Sequence, residues 1–215
     1  AQQTKERQTF HTDSCDVVGL LCLRNAMRGG DSLLVSALSV FNVLRREHPA
    51  LLARLLLPMP HDRRGEVPVG QKPWFDIPVF SYLDQQISVF YQRQYFDSAQ
   101  RFPEARRLTA EDVAALDKFD EVANDARLTL PMRLEAGDMQ FVHNHNLLHD
   151  RTAFDDYPEP ERKRHLLRLW LACEGARRLP DSFLPRYGSL TVGDRGGVIV
   201  SGTKLHVALD PQSTA

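Results

Sequence analysis

Two segments far apart in the chain carry the side chains of a metal site. The segment His11-Thr12-Asp13 places an imidazole and a carboxylate two residues apart. On an extended chain, residues i and i+2 point to the same side, so both side chains can reach one ion. His149 offers a third ligand. Two histidines and one carboxylate on one face suit Fe(II) and leave coordination positions open for a 2-oxo acid and dioxygen.

The histidines around position 149 allow a second arrangement. His143, His145 and His149 lie close together in sequence, and alternation along a regular strand would place all three on one face. A zinc site or a cupin-type site could use them without an oxo acid. That site would leave His11 and Asp13 without a role, so it ranks below the first set. An isolated H-x-D segment is also common in surface turns, where it binds nothing.

Two arginines, Arg164 and Arg168, follow the last of these histidines. Residues i and i+4 of a strand face the same way, so both guanidinium groups can point inward. A guanidinium pairs with a carboxylate through two hydrogen bonds and keeps its charge when buried, which suits the far carboxylate of a 2-oxo diacid. The competing interpretation is a surface pair that bonds to Glu159 or Glu161.

The elements that must position these residues are mainly short strands. Apolar runs and alternation predict strands over Asp16–Arg24, Ser32–Ala37, Ile77–Tyr82, Gln86–Tyr91, Met139–Val142 and His165–Ala172. Many short strands with one or two inserted helices predict a mainly β fold. The pattern leaves a jelly roll and an open α+β sheet as alternatives.

Capping residues mark the helices. Ser39 is predicted to cap a helix that runs through Leu44, and Pro49 to begin another. Thr109 and Asp112 resemble a capping box ahead of a third helix. The segment Met59–Lys72 is rich in proline and glycine and is predicted to be a loop, with the charged residues at 62–66 in solvent.

Length and composition predict one ordinary globular domain, 1–215. The formal net charge is -1 and basic residues are scattered, which argues against a nucleic-acid partner. No apolar run reaches the length of a membrane span. The three cysteines form no C-x-x-C pair, which argues against a disulfide framework and favours a cytoplasmic location. A small-molecule substrate remains the expected partner.

Taken in order along the chain, these motifs resemble those of the taurine dioxygenase-like and clavaminate synthase-like Fe(II)/2-oxoglutarate oxygenases. The matching pieces run from residue 11 to about residue 170. They are His11-Thr12-Asp13, Gly29-Gly30-Asp31-Ser32, Gly137-Asp138 ahead of Asn144 and His149, and Arg164-x-x-x-Arg168. The resemblance implies a double-stranded β-helix, a form of jelly roll, with Fe(II), 2-oxoglutarate and dioxygen as cofactor and cosubstrates.

The resemblance also implies roles for single residues. His11, Asp13 and His149 would bind the iron. Ser32 and Arg164 would hold the far carboxylate of 2-oxoglutarate, and Arg168 matches a position that contacts an anionic substrate in some members. The implied reaction is oxidation of a small organic molecule, with hydroxylation as the default outcome and release of succinate and carbon dioxide.

Two departures from the family pattern shape the expectations. The stretch 150–163 is longer than in the sulfonate-oxidising members, which argues against taurine as the substrate. Family members carry further strands before the H-x-D motif, whereas ten residues precede it here. We therefore expect the chain to lack N-terminal strands of the barrel. The alternative functions are a cupin-like metalloprotein and a non-catalytic binding domain with a vestigial barrel.

Overall fold

A computed structural model describes residues 5–197 of the chain, which form short antiparallel strands with helices between them. The strands are β1 (Gln8–His11), β2 (Val17–Arg24), β3 (Arg28–Gly29), β4 (Ser32–Ser36), β5 (Met59–Asp62), β6 (Trp74–Ile77), β7 (Phe80–Leu83), β8 (Gln86–Val89), β9 (Thr129–Met132), β10 (Met139–His143), β11 (Leu147–Arg151), β12 (Phe154–Asp155) and β13 (His165–Leu171). The α-helices are α1 (Ala37–Glu47), α2 (Pro49–Leu55), α3 (Arg93–Ala99), α4 (Ala110–Ala123) and α5 (Leu184–Tyr187).

Two sheets form the part of the fold that carries the predicted ligands. A four-stranded sheet has the order β1-β11-β4-β9, and a three-stranded sheet has the order β10-β2-β13. All of their strand pairs are antiparallel. A small apolar cluster joins the two sheets: Val18 and Val142 of the three-stranded sheet pack with Leu34 and Leu147 of the four-stranded one.

The larger core lies where the helices cover the four-stranded sheet. Helices α1, α2 and α4 pack against one another, and α1 also contacts β4. Helix α1 buries Val40 and Leu44, and α4 buries Leu116 and Phe119. This apolar layer supports the sheet that contains β1 and β11, so it holds both strands in a fixed relation.

The mainly β architecture predicted from the sequence is confirmed, although the described residues contain more helix than expected. The predicted strands over β2, β4 and β13 are present. The helix after Thr109 begins with the predicted capping box. Ser39 was the wrong cap for α1: the cap is Ser36, whose hydroxyl accepts a hydrogen bond of 3.2 Å from the Ser39 amide.

The predicted loop over Met59–Lys72 was wrong at its start. Its first four residues form β5, which pairs with β6 in the register His61↔Phe75. Two of the charged residues predicted to lie in solvent are buried: Asp62 is 1% exposed and Arg63 is 5% exposed, whereas Arg64 is exposed as predicted. Asp62 accepts hydrogen bonds from Ser98 and Arg101, which explains how its charge tolerates burial.

The three-stranded sheet has an exposed apolar surface on its outer side. Phe141 and Leu169 both pair with Gly19, and Met139 and Leu167 both pair with Leu21. Met139, Phe141 and Leu169 are each more than 60% exposed. We call these four side chains, Met139, Phe141, Leu167 and Leu169, the apolar outer face. Within residues 5–197, no helix is long and apolar enough to cross a membrane.

Candidate metal centre

Strand pairing brings the two predicted histidine ligands together. Strands β1 and β11 are antiparallel, and His11 lies directly opposite His149 in their register. Their ring centroids are 4.2 Å apart. Because directly opposed side chains of a sheet project to the same face, this pairing alone places the two imidazoles beside each other on one face of the sheet.

Asp13 completes the group from just beyond the end of β1. Its Oδ1 lies 3.9 Å from His11 Nε2, and its Oδ2 lies 3.6 Å from His149 Nε2. One possible ligand atom from each of the three residues lies within 4.8 Å of the others. The two residues of the H-x-D segment therefore do point to one side, as their spacing predicted, although the strand itself ends at His11.

Buried polar contacts fix the backbone around Asp13. The Asn144 side chain accepts a hydrogen bond of 2.8 Å from the Asp13 amide and donates to the carbonyls of Asp13 and Cys15. On the opposite side of the chain, the Thr12 hydroxyl accepts a hydrogen bond of 2.9 Å from the Tyr91 amide. Asn144 is fully buried, and its hydrogen bonds hold the backbone of the segment that carries Asp13 in place.

His11 is held in a form that can bind a metal. Its Nδ1 lies 2.8 Å from the carbonyl of Thr9, which assigns the proton to Nδ1 and leaves a lone pair on Nε2. Burial, together with the neighbouring His149, lowers the pKa of His11 to about 4. The ring is therefore neutral at physiological pH, as a metal ligand must be.

Asp13 stays ionised in spite of its burial. Burial opposes its charge, but interactions with His149, His11 and Arg168 outweigh that cost and bring the pKa of Asp13 below its usual range. Two donors reach its Oδ2: Arg168 Nη1 at 3.0 Å and Trp170 Nε1 at 2.8 Å. These two side chains of β13 orient the carboxylate toward the histidines.

The donor set fits a divalent transition metal. Both ring nitrogens of His149 are buried and lack a hydrogen-bond partner among residues 5–197. Buried polar atoms are rarely left without a partner. Two imidazoles and one carboxylate on one face form the facial triad associated with Fe(II).

Two cavities adjoin this group of residues. The first, of about 340 Å³, is lined by His11 and Asp13 together with Arg168. The second, of about 170 Å³, is lined by His149 and Arg168 together with Ser32 and Arg164. The three candidate ligands therefore lie between the two cavities: His11 and Asp13 line the first, and His149 lines the second.

The second cavity brings together the residues expected to hold an oxo acid. The guanidinium group of Arg164 makes a long contact of 3.4 Å to the Gly30 carbonyl, and burial lowers its pKa. Within the described part of the chain it forms no ion pair with a carboxylate. The competing expectation of a surface pair with Glu159 does not hold, because Glu159 lies beside Arg162 at 3.6 Å.

The three-histidine alternative does not match the arrangement of these side chains. Strand β10 ends at His143, so the regular alternation that the alternative required is interrupted by a turn. His145 is completely buried, and its Nε2 lies 2.9 Å from Asp16 Oδ1, which also accepts hydrogen bonds from Arg195. His145 is thus engaged in a structural network.

Sequence reasoning missed several residues around the centre. Trp170 shares the inward face of β13 with Arg168, and the i+2 spacing of that strand could have indicated it. His61, Arg63 and Arg186 line the first cavity. No sequence signal marked these three, because 61–63 was assigned to a loop and Arg186 belongs to a short helix in a segment without clear periodicity.

The family model "Taurine catabolism dioxygenase TauD, TfdA family" matches residues 1–170. FR-33289 synthase of Streptomyces rubellomurinus (strain ATCC 31215) is 36% identical over 84% of this chain and 54% of its own length. A uridine-5'-phosphate dioxygenase of Amycolatopsis sp is 30% identical over 79% of this chain and 62% of its own length. The chain thus spans little more than half the length of these relatives.

Solved structures agree in fold. An asparagine oxygenase in complex with Fe(II), 2S,3S-3-hydroxyasparagine and succinate aligns with a TM-score of 0.60 at 20% identity, over 79% of this chain and 51% of that one. PvcB, described as an Fe, alpha-ketoglutarate dependent oxygenase, aligns with a TM-score of 0.57 at 15% identity, over 83% of this chain and 61% of that one.

Proposed function

Because the chain belongs to the taurine catabolism dioxygenase TauD, TfdA family, we propose that it is an Fe(II)- and 2-oxoglutarate-dependent dioxygenase acting on a small organic substrate. Hydroxylation is the default outcome, with succinate and carbon dioxide as the other products. The observation that carries this proposal is the group His11, Asp13 and His149, whose ligand atoms lie within 4.8 Å of one another.

The three residues would hold the iron through one carboxylate oxygen and two imidazole nitrogens. Bound iron would supply the activation of dioxygen that couples decarboxylation of 2-oxoglutarate to oxidation of a C–H bond. The chain supplies the orientation of these ligands. Thr9 fixes the tautomer of His11, and Arg168 and Trp170 fix the rotamer of Asp13.

Arg164 and Ser32 would hold the far carboxylate of 2-oxoglutarate in the second cavity. A half-buried guanidinium without a carboxylate partner among residues 5–197 gains a bidentate ion pair when a diacid enters. The hydroxyl of Ser32 lines the same cavity and can donate one further hydrogen bond. His149 lines this cavity too, which brings the keto-acid end of the molecule to the iron ligands.

We further propose that the two sheets form a double-stranded β-helix within a single oxygenase domain. The antiparallel order of both sheets and the apolar cluster that joins them support this. Structural neighbours determined with Fe(II) and succinate, or with iron and alpha-ketoglutaric acid, support it as well.

The substrate would occupy the first cavity, on the side of His11 and Asp13. Its volume of about 340 Å³ suits a small molecule. Two relatives are named for uridine-5'-phosphate, and one structural neighbour contains a hydroxylated arginine. These names support a polar metabolite as the substrate.

Replacing Asp13 by alanine tests the metal assignment. We expect Asp13→Ala to lose stoichiometric Fe(II) binding, because the two imidazoles remain without the anionic ligand. Metal analysis after anaerobic loading measures this, with the exposed Asp155→Ala as the control. Unchanged iron content in Asp13→Ala would contradict the triad and favour the cupin-like alternative.

Replacing Arg164 by methionine tests the cosubstrate assignment. Hydrogen bonds to a charged group contribute about 1.5–3 kcal/mol, so we expect Arg164→Met to raise the KM for 2-oxoglutarate roughly tenfold or more. Succinate release in the presence of Fe(II) and ascorbate measures it, with the exposed Arg162→Met as the control. If the unaltered protein neither releases succinate nor is stabilised by iron with 2-oxoglutarate, a non-catalytic binding domain is the better assignment.

A further inference from the structure

The first cavity contains a group of basic residues that the iron and cosubstrate assignments do not use. His61, Arg63 and Arg186 line it together with the candidate ligands His11 and Asp13. Strand β5 supplies His61, Arg63 follows two positions later, and Arg186 comes from α5. We call His61, Arg63 and Arg186 the cationic cluster.

The imidazole of His61 is buried with unused hydrogen-bonding capacity. It is 3% exposed, and within residues 5–197 neither ring nitrogen has a hydrogen-bond partner. Four aromatic rings surround it at centroid distances of 5.0 to 5.2 Å: Phe75, Phe90, Tyr95 and Phe96. Aromatic rings cannot satisfy the hydrogen-bonding groups of an imidazole. Because buried polar atoms are rarely left without a partner, we expect a ligand in the cavity to supply one.

Arg63 is buried without an opposite charge beside it. It is 5% exposed, its Nε donates to the Lys72 carbonyl at 3.0 Å, and its guanidinium lies 4.9 Å from the centre of the Phe75 ring. Among the described residues it forms no ion pair. A buried guanidinium in this setting retains donors for an anion.

Arg186 adds a second cation to the same space. Its side chain is 11% exposed; it donates to Glu66 at 2.8 Å and to the Gly197 carbonyl at 3.3 Å. Burial, and after it the charge of Arg186, lowers the pKa of both His61 and Arg63. The arginines therefore lie close enough to repel each other.

Of the two arginines in the cluster, only Arg186 has a carboxylate partner among the described residues. Glu66 balances Arg186, while Asp62 is occupied by Ser98 and Arg101. One buried positive charge and an imidazole with free nitrogens remain, in the cavity that also contains Asp13. The buried charge of Arg63, which has no carboxylate partner among the described residues, is unfavourable unless an anion joins it.

We propose that the cationic cluster binds a tetrahedral dianionic group of the substrate, of the phosphate or phosphonate type. Two guanidinium groups and one imidazole offer donors from three separate side chains, which matches three oxygens of a tetrahedral group better than the two coplanar oxygens of a carboxylate. This proposal rests on the proposed function, since it names the class of molecule that the oxygenase site would accept.

Binding of small oxyanions to the protein loaded with Mn(II) and 2-oxoglutarate, without oxygen, tests the proposal. With 2-oxoglutarate present, Arg164 is already occupied and does not compete for the probe. By calorimetry we expect inorganic phosphate and methylphosphonate to bind at least tenfold more tightly than methanesulfonate and acetate. Equal binding of all four probes would overturn the assignment of a dianionic group.

Substitutions locate the bound anion. We expect Arg63→Gln and Arg186→Gln each to weaken methylphosphonate binding at least tenfold, whereas the exposed Arg178→Gln leaves it unchanged. Retention of binding in both cluster variants would overturn the proposal, because the anion would then lie elsewhere. His61→Gln, which keeps a donor, is expected to bind more tightly than His61→Phe.

A measurement on the unaltered protein covers the case in which a variant does not fold. Mn(II) at the metal centre should accelerate the ³¹P relaxation of bound methylphosphonate, because the cluster and His11 line one cavity. With manganese bound at the metal centre, an unaccelerated ³¹P signal would overturn the proposal. If manganese and 2-oxoglutarate bind but the phosphonate does not, the cluster assignment fails and the oxygenase assignment stands. If the phosphonate binds through the cluster while metal does not, the oxygenase assignment fails.

Discussion

At the scale of single residues, Asp13 is held through both its backbone and its carboxylate. Its backbone is held by Asn144, and its Oδ2 receives hydrogen bonds from Arg168 and Trp170. The same oxygen lies 3.6 Å from His149 Nε2. The carboxylate is therefore oriented before any metal arrives, which lowers the entropic cost of forming the site.

Removing the Asn144 side chain should weaken metal binding, although Asn144 is not itself a metal ligand. Asn144→Ala deletes an acceptor for the Asp13 amide and donors to two carbonyls. Partners that orient metal ligands contribute roughly ten- to a hundredfold in affinity, so we expect a loss of that size in Fe(II) affinity. Anaerobic titration measures it.

The control for this variant is Asn146→Ala, two residues away, whose side chain contacts Arg177 and none of the three ligands. A structural effect alone would lower the thermal stability of Asn144→Ala and leave the metal affinity of its folded form unchanged. That result would contradict the positioning role of Asn144.

At the scale of single residues, the sequence predicted part of the candidate metal centre. The i, i+2 spacing of His11 and Asp13 is a local property of an extended chain, and the structure does bring both beside His149. The donors to Asp13 depend on which face of β13 meets the other sheet. The cationic cluster depends on contacts between segments more than a hundred residues apart, which no local pattern encodes.

At the scale of elements, the N-terminus of α4 shows how a local sequence motif stabilises a helix and connects it to its neighbours. Thr109 and Asp112 form the predicted capping box, and Asp112 also pairs with Arg54 and Arg106. These contacts join the helix cap to α2 and to the segment before α4. The Asp112 carboxylate is buried, so its charge depends on these partners.

The Asp112 network should give the fold an acid-sensitive component. Burial opposes its charge, but the Thr109 amide and the two arginines prevail and lower the pKa of Asp112 to about 2 from 3.8. Because the folded-state value is depressed, the stabilisation is complete above pH 3.8 and is lost as the pH falls toward 2. Urea unfolding across this range should show a shallower decline in Asp112→Asn, and an equally steep decline would contradict the assignment.

Elements were predictable where a local rule decides them. Strand β2 is a continuous apolar run, and the cap of α4 is encoded within four residues. Strand β5 was missed because its Met-Pro-His-Asp sequence has poor strand propensity, and it forms through pairing with β6. Ser36 was missed as the cap of α1 because the helix begins at once after β4, without an intervening turn.

At the scale of the whole molecule, the two cavities are lined by different candidate ligands. One joins Ser32 and Arg164 to His149, and the other joins the cationic cluster to His11 and Asp13. Arg168 lines both and also contacts Asp13. This separation would let the cosubstrate and the substrate approach one metal from different sides.

The apolar outer face should dominate the binding of hydrophobic probes to the native protein. Monomeric proteins rarely expose contiguous apolar patches of this kind. We expect the double variant Phe141→Thr with Leu169→Thr to bind much less anilinonaphthalene sulfonate dye than the unaltered protein, while 2-oxoglutarate turnover stays the same. Dye fluorescence measures it, with exposed Leu38→Thr and Leu184→Thr together as the control. Undiminished fluorescence would show that the dye binds elsewhere.

The pairing of His11 with His149 across β1 and β11 also determines where the gene can tolerate insertions. A single added codon within either strand would shift the register by one step and turn an imidazole to the other face of the sheet. The same codon added in the exposed connection at 69–71 changes no register between the two strands. Length variation among natural or engineered versions of this chain should therefore accumulate in such connections and avoid those two short strands.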